Sequence, residues 1–236
     1  MGEDEDKQLP QPTEKDVAHS FVKGTIASIP VIGGIGSELF SLIITAPLEK
    51  RKNEWMNSVA DKLVEMEKAI QGFKIESLQG NDLFISIIMH ASNLAIKNHQ
   101  EEKIEALRNA VLHSALATNL EENTQFIFLN YIDFLTPLHL KILKYFENPE
   151  KWLAEREITT NIIQASPSKF LELGIPELKN RRETYDLMVD DLHIKGLVRI
   201  DSQGLWTGMY RIGCTESRIT NLGRSFIKYI SPPISS

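Results

Sequence analysis

The chain has 236 residues, of which 42% are apolar and 25% charged, with one cysteine and a formal net charge of −6. Such a length builds one large domain or two small ones with real cores, and such a composition excludes wholesale disorder. The lone thiol, Cys214, excludes an internal disulfide and a cysteine-built zinc cage, and makes a reducing, cytoplasmic compartment the expectation.

Residues 1–13 are acidic and broken by proline, so they are expected to form a disordered tail. A secretory leader would need a basic start followed at once by an apolar stretch, and no export signal of that kind is read here. Thr13 followed by Glu14 and Asp16 predicts a helix over 14–28 with acids in its first turn. From Thr25 to Ala46 there is one charge, Glu38, in 22 positions, with Lys23 before the run and Lys50, Arg51 and Lys52 after it. A straight helix of that length would be roughly 33 Å long, about the thickness of a bilayer hydrocarbon core. Pro30 and the glycines Gly33, Gly34 and Gly36 argue instead for two short apolar helices joined at a bend. The membrane-directed candidates in this hairpin are Ile26, Ile29, Pro30, Val31, Ile32, Gly33, Gly34, Gly36, Leu39 and Phe40. Burial in a soluble helical domain, a hairpin that switches into a membrane, and a plain anchor remain the alternatives. Glu38 fits as a first-turn acid of the second short helix, an explanation that needs no membrane.

Apolar residues at three- and four-residue steps predict a long helix over 48–73, with Trp55, Val59, Leu63, Met66, Ile70 and Phe73 on one face. Further helices are predicted from Leu83 through Ala95, from about Gln100 to Ala117, and from Glu122 to Leu135. The fold class is therefore mainly α, with residues 14–135 an antiparallel helical bundle carrying the Gly-rich hairpin. Thr136-Pro137, an N-cap followed by a first-turn proline, opens a second domain over 136–230, and 231–236 is a tail. A short helix closes at Pro149, another spans 168–173, and a stronger one runs over 177–195 into Gly196 as a left-handed cap. Leu197–Ile200 reads as a strand, Asp201–Gly204 as a turn, and Leu205–Ile212 and Thr215–Thr220 as extended segments, before a last helix over 221–230.

No catalytic constellation, cofactor fingerprint or metal cluster is legible. There is no phosphate-binding loop, dinucleotide fingerprint, zinc-protease motif or nucleophile elbow. The six histidines are scattered; Asp16 and His19 are an acid–histidine pair three apart, too little for a bundle metal site, and core hydrogen bonding is the expectation for His90 and His113. The chain is expected not to be an enzyme. Charge, by contrast, is unevenly spread. Residues 1–135 hold 12 basic against 20 acidic side chains, a net of −8, whereas residues 136–236 hold 14 against 12, a net of +2.

The order of three helices ending in Lys195-Gly196-Leu197-Val198, a hairpin with aromatic and basic residues, and a terminal helix with Leu222-Gly223-Arg224 resembles a winged helix-turn-helix domain. That resemblance implies an α+β fold for the last hundred or so residues and a third helix facing a partner. The residues it brings forward for a protein or nucleic-acid partner are Lys179, Asn180, Arg181, Arg182, Arg199, Trp206, Tyr210, Arg211 and Arg218. Against nucleic acid stand Glu183, Asp186, Asp190 and Asp191 on the same helix, which would repel phosphates. The first 75 residues are loosely similar to the apolar, Gly-bearing N-termini of bacterial membrane-disrupting effectors, which implies a protein that is soluble while the hairpin is packed and membrane-active once released. Two functions follow as expectations. One is a non-enzymatic switch or interaction protein whose winged helix docks a partner while the bundle covers the hairpin. The other is a winged-helix transcriptional regulator with a helical dimerisation domain. A protein partner, an anionic membrane, nucleic acid and a second copy of the chain are the partners these readings call for, and the location is cytoplasmic, extending to the inner membrane if the hairpin inserts.

Overall fold

A computed structural model describes residues 46–116, 120–159 and 161–234. The acidic tail, the helix expected over 14–28 and the whole apolar hairpin from Ile26 to Phe40 lie outside the described residues. The described chain is mainly helical, with one two-stranded sheet, and divides into two compact units between Leu129 and Asn130.

In the first unit, α1 (Ala46–Ala69), α2 (Asp82–Lys97) and α3 (Glu101–Ala115) pack against one another pairwise as a helical bundle. Val59 and Leu63 from α1, Phe84, Ile87 and Ile88 from α2, and Leu107 and Val111 from α3 are fully buried. Each side chain of this size stabilises the folded state by about 1.5–3 kcal/mol through the area it removes from water. Helix α1 stops four residues short of the expected Phe73, because Gly72 takes a positive φ of 88° and turns the chain into a 3₁₀ segment, Ile75–Gly80. Glu67 steadies that turn, since its Oε1 accepts the backbone N–H of Ile75 at 3.2 Å and lies 3.5 Å from the ammonium of Lys74. Asn81 caps α2 by accepting the N–H of Phe84 at 2.9 Å. Across the core, the indole N–H of Trp55 donates to the hydroxyl of Ser92 at 2.8 Å, which satisfies two polar groups buried between α1 and α2. Helix α3 is more deeply buried than its polar sequence predicts, with Asn109, His113 and Ser114 all inside.

Helix α4 (Glu122–Phe134) runs through the division and contributes Ile132 to the core of the second unit, as does Leu135 just beyond its end. Helix α5 (Pro137–Glu147) starts as its sequence dictates: the Thr136 hydroxyl and the His139 ring form a reciprocal capping box, with Thr136 N–H donating to Nδ1 of His139 at 3.2 Å. Pro149 does not simply end this segment. Asn148 caps both sides, its Oδ1 accepting the N–H of Lys151 at 3.0 Å, and Pro149 occupies the first turn of a new helix, α6 (Pro149–Ala154). Strand β1 (Gln164–Ala165) precedes α7 (Pro167–Gly174), and a 3₁₀ turn over Pro176–Leu178 leads to α8 (Arg182–Ile194). Helix α8 thus begins five residues later than expected. Lys179, Asn180 and Arg181 form the approach to it, with Asn180 at a positive φ of 63°. Its end matches expectation: Gly196 has a φ of 70°, Gly196 N–H reaches the carbonyl of His193 at 2.8 Å, and Leu197 N–H reaches that of Leu192 at 2.9 Å.

The segment from 197 to 220 departs most from expectation. The expected strands at 197–200 and 215–220 shrink to an isolated antiparallel bridge between Val198 and Ile219, flanked by Arg199 N–H to the Arg218 carbonyl at 2.7 Å and Thr220 N–H to the Leu197 carbonyl at 3.0 Å, and of the expected 205–212 segment two residues are strand. The expected turn at Asp201 is a helix start. Asp201 Oδ1 accepts the N–H of Gly204 at 2.7 Å and opens α9 (Ser202–Trp206). Strand β2 (Met209–Tyr210) pairs antiparallel with β1, Gln164 opposite Tyr210 and Ala165 opposite Met209, and α10 (Arg211–Cys214) follows. Helix α11 (Asn221–Ile230), capped by Thr220, closes the unit. Gly223 lets it lie directly on the Leu197 backbone, for a Cβ there would come within 2.3 Å of the Leu197 carbonyl oxygen.

Candidate interaction site

The N-terminal half of α8 builds a cluster around Trp206. The Arg182 guanidinium lies over the indole, 3.8 Å from its centroid, and its Nε is 3.3 Å from Oδ2 of Asp186. The other oxygen of Asp186 accepts the indole N–H of Trp206 at 2.9 Å, and the ring of Tyr185 stacks on the same indole with an interplanar angle of 19°. Tyr185 is wholly buried and donates its hydroxyl to Glu172 at 2.9 Å. Burial first, and then this carboxylate, push its phenol above the ordinary tyrosine range.

The remaining acids of α8 are likewise engaged within the unit. Asp190 Oδ1 accepts the backbone N–H of Ser202 at 2.7 Å, holding the start of α9, and Oδ2 of Asp191 lies 3.4 Å from Nε2 of His139. Three of the four carboxylates expected to confront a partner therefore serve internal contacts, while Glu183 is exposed. The missed feature is apolar. Leu187 and Ile194 are 64% and 80% exposed, and with Glu183 they form the outward stripe of a helix whose inward stripe is Tyr185, Val189 and Leu192. Their seven-residue spacing, opposite the buried set, is the sequence signal that would have found them.

The other sequence candidates separate into groups. Lys179, Asn180 and Arg181 are exposed on the approach to α8, and Arg199 is exposed beside the Val198 bridge. Arg218 turns inward: its Nη2 donates to the Gly213 carbonyl at 2.7 Å, Nη1 lies 3.5 Å from Glu216, and Nε is buried without a hydrogen-bond partner. It clamps the end of α10, a structural task. Tyr210 ends β2 and Arg211 opens α10 beside the β1–β2 ribbon, where Arg211 N–H donates to the Ile163 carbonyl at 2.9 Å and exposed Ile163 and Ile212 stand beside them. Trp206 and Arg182 are brought together; Tyr210 and Arg211 join a different surface.

The first unit has a half-open recess of about 440 Å³ walled by Trp55, Asn98, Arg51 and Arg108 together with Glu54, Glu101 and Glu105. Its mixed charge selects no ligand sign. Cys214 is buried, and desolvation raises its thiol above the ordinary range. Among the described residues no three histidine, cysteine or acid side chains are grouped to hold a metal ion, and no single helix is long and apolar enough to cross a membrane. Comparison of the chain with protein-family models, with curated proteins and with solved structures gives no match.

Proposed function

We propose that the chain is a non-enzymatic interaction protein whose C-terminal unit, winged-helix-like in its element order, docks a protein partner through the outer side of α8, while the bundle keeps the apolar segment from Ile26 to Phe40 from lipid until that docking changes its cover. What supports the docking half is the character of the exposed stripe of α8, Glu183, Leu187 and Ile194, which is apolar and acidic where a groove-reading helix carries Arg, Lys, Asn or Gln. Arg182 on the flank is occupied by Asp186 and Trp206. The sequestration half rests on the 22-residue run with its one acid and on the basic Lys50, Arg51 and Lys52 beyond it.

Two assays test the halves separately. Random duplex DNA titrated at low salt is expected to show no binding; binding that disappears on Arg181→Ala with Arg182→Ala would replace this reading with the transcriptional regulator. Vesicles of anionic lipid are expected to leak on exposure to residues 1–135 and to stay intact with the whole chain. If neither preparation floats with vesicles or releases their contents, the membrane half is wrong.

A further inference from the structure

Residues 109–115 of α3 are all buried, nearly two full turns of helix with no side facing water. The start of the same helix differs, for Glu101, Glu102 and Glu105 are exposed. Two helices, α1 and α2, pack along α3; two neighbours touch a helix on two sides, so a third side of its second half is covered by something else. Helix α4 poses the same question. Gln125, Phe128 and Leu129 are buried, Phe128 and Leu129 completely, yet no described helix packs along α4 as α1, α2 and α3 pack on one another. It touches α2 through Phe126, whose ring lies edge-on to His90 at 6.3 Å. Residues 109–120 and 123–132 hold no Lys, Arg, Asp or Glu, so what covers these two faces meets no charge on them.

The cover comes from the chain itself, because these side chains are buried within one copy of it. That removes a second copy and a foreign partner as the occupant. Of the chain outside the described residues, 117–119 and 235–236 are too short to line two helices. Residues 1–45 are long enough, and 25–45 among them carry one charge, Glu38. They also join the unit at the right end. Helix α1 begins at Ala46, and its Arg51, Trp55 and Ser58 share a recess with Glu101, Glu105 and Arg108, so the chain enters beside the exposed start of α3. From Glu101 to Leu112 is roughly 17 Å along the helix, and two helices of ten residues, as the sequence predicts for the apolar run, are each about 15 Å long. We infer that the second half of α3 and the first half of α4 form the seat of the apolar segment 25–45, with Leu112, Phe128 and Leu129 as its floor. This rests on the sequestration half of the reading above and says where in the first unit the segment is held.

The test keeps the whole chain. A photoreactive benzophenone amino acid replaces Thr124, which is half-buried at the margin of the covered side of α4. On irradiation it is expected to link to residues 25–45 of the same molecule, read as a cross-linked peptide in a species of one-chain mass. Links that miss residues 25–45, or that form solely between two chains, overturn the inference. Hydrogen exchange gives a second readout. Ile32→Asp with Leu39→Asp is expected to speed exchange of the amides of residues 109–115 and 125–129 by at least about tenfold, while α2 near Ser92 stays unchanged. Unchanged exchange over 109–115, or an equal rise throughout the unit, also overturns it. Leakage of anionic vesicles by residues 1–135 without the cross-link keeps the segment membrane-directed and removes this seat. The cross-link without leakage keeps the seat and removes the membrane half of the reading above.

Discussion

Gly223→Ala isolates the contact on which α11 seats. In an ordinary helix interior this change would stabilise by about 1 kcal/mol, because glycine is the poorer helix former. At this position the new Cβ would lie 2.3 Å from the Leu197 carbonyl oxygen, 2.7 Å from Cγ1 of Ile219 and 3.2 Å from the Leu197 carbonyl carbon. The Ile219 methylene can give a little, but the carbonyl is backbone and is held by Thr220, whose N–H donates to it at 3.0 Å and whose hydroxyl approaches it at 3.2 Å while reaching the Gly196 carbonyl at 2.7 Å. Relieving the clash means displacing α11 from Leu197, which overpacks the junction at about 1–3 kcal/mol and weakens a hydrogen bond of about 1 kcal/mol. Set against the propensity gain, the net is a destabilisation of about 1–3 kcal/mol. For a unit of this size that lowers the melting temperature by roughly 4–8 °C per kcal/mol. Urea unfolding followed by circular dichroism measures it, with Gly208→Ala as the control, since a Cβ there meets nothing within 4 Å. A Gly223→Ala protein as stable as the parent, or more stable, would refute the packing account.

Trp55→Phe leaves the buried Ser92 hydroxyl without its donor and is expected to cost about 1–3 kcal/mol by urea titration, part of it recovered by adding Ser92→Ala. Asp186→Ala removes the acceptor of both the Trp206 indole and the Arg182 guanidinium; a loss of about 1 kcal/mol is expected, since Arg182 is largely exposed and the indole bond dominates. Alkaline pH should unfold the C-terminal unit. Burial raises the phenols of Tyr145, Tyr185 and Tyr229 above their ordinary value, so the folded state keeps these protons while the unfolded chain releases them; stability is complete below about pH 10 and falls as pH climbs toward the folded values. Phenolate absorbance that appears without loss of helicity would contradict this. The Tyr145 hydroxyl is buried with no hydrogen-bond partner, so Tyr145→Phe should be neutral or slightly stabilising, and a loss above about 1 kcal/mol would show that the hydroxyl has a role in the folded unit.

Where local chemistry decides an element, the sequence announced it. Thr136 with Pro137 and Gly196 after α8 each set an end by satisfying or freeing the backbone within a few residues, and the helices begin or stop there. The three- and four-residue recurrence of Val59, Leu63, Phe84, Ile87, Leu107 and Val111 likewise marked the faces that pack into the bundle. Tertiary structure decided the rest. Asp201 can begin a turn or cap a helix, and it caps a helix where α9 can be held by Asp190 from α8. Residues 209–210 pair with 164–165, more than forty positions away, a partner that no local pattern names. Asp186, Asp190 and Asp191 became internal acceptors, and Leu187 and Ile194 the exposed ridge, because periodicity defines the stripes of a helix but the surface that covers each stripe is contributed by distant chain.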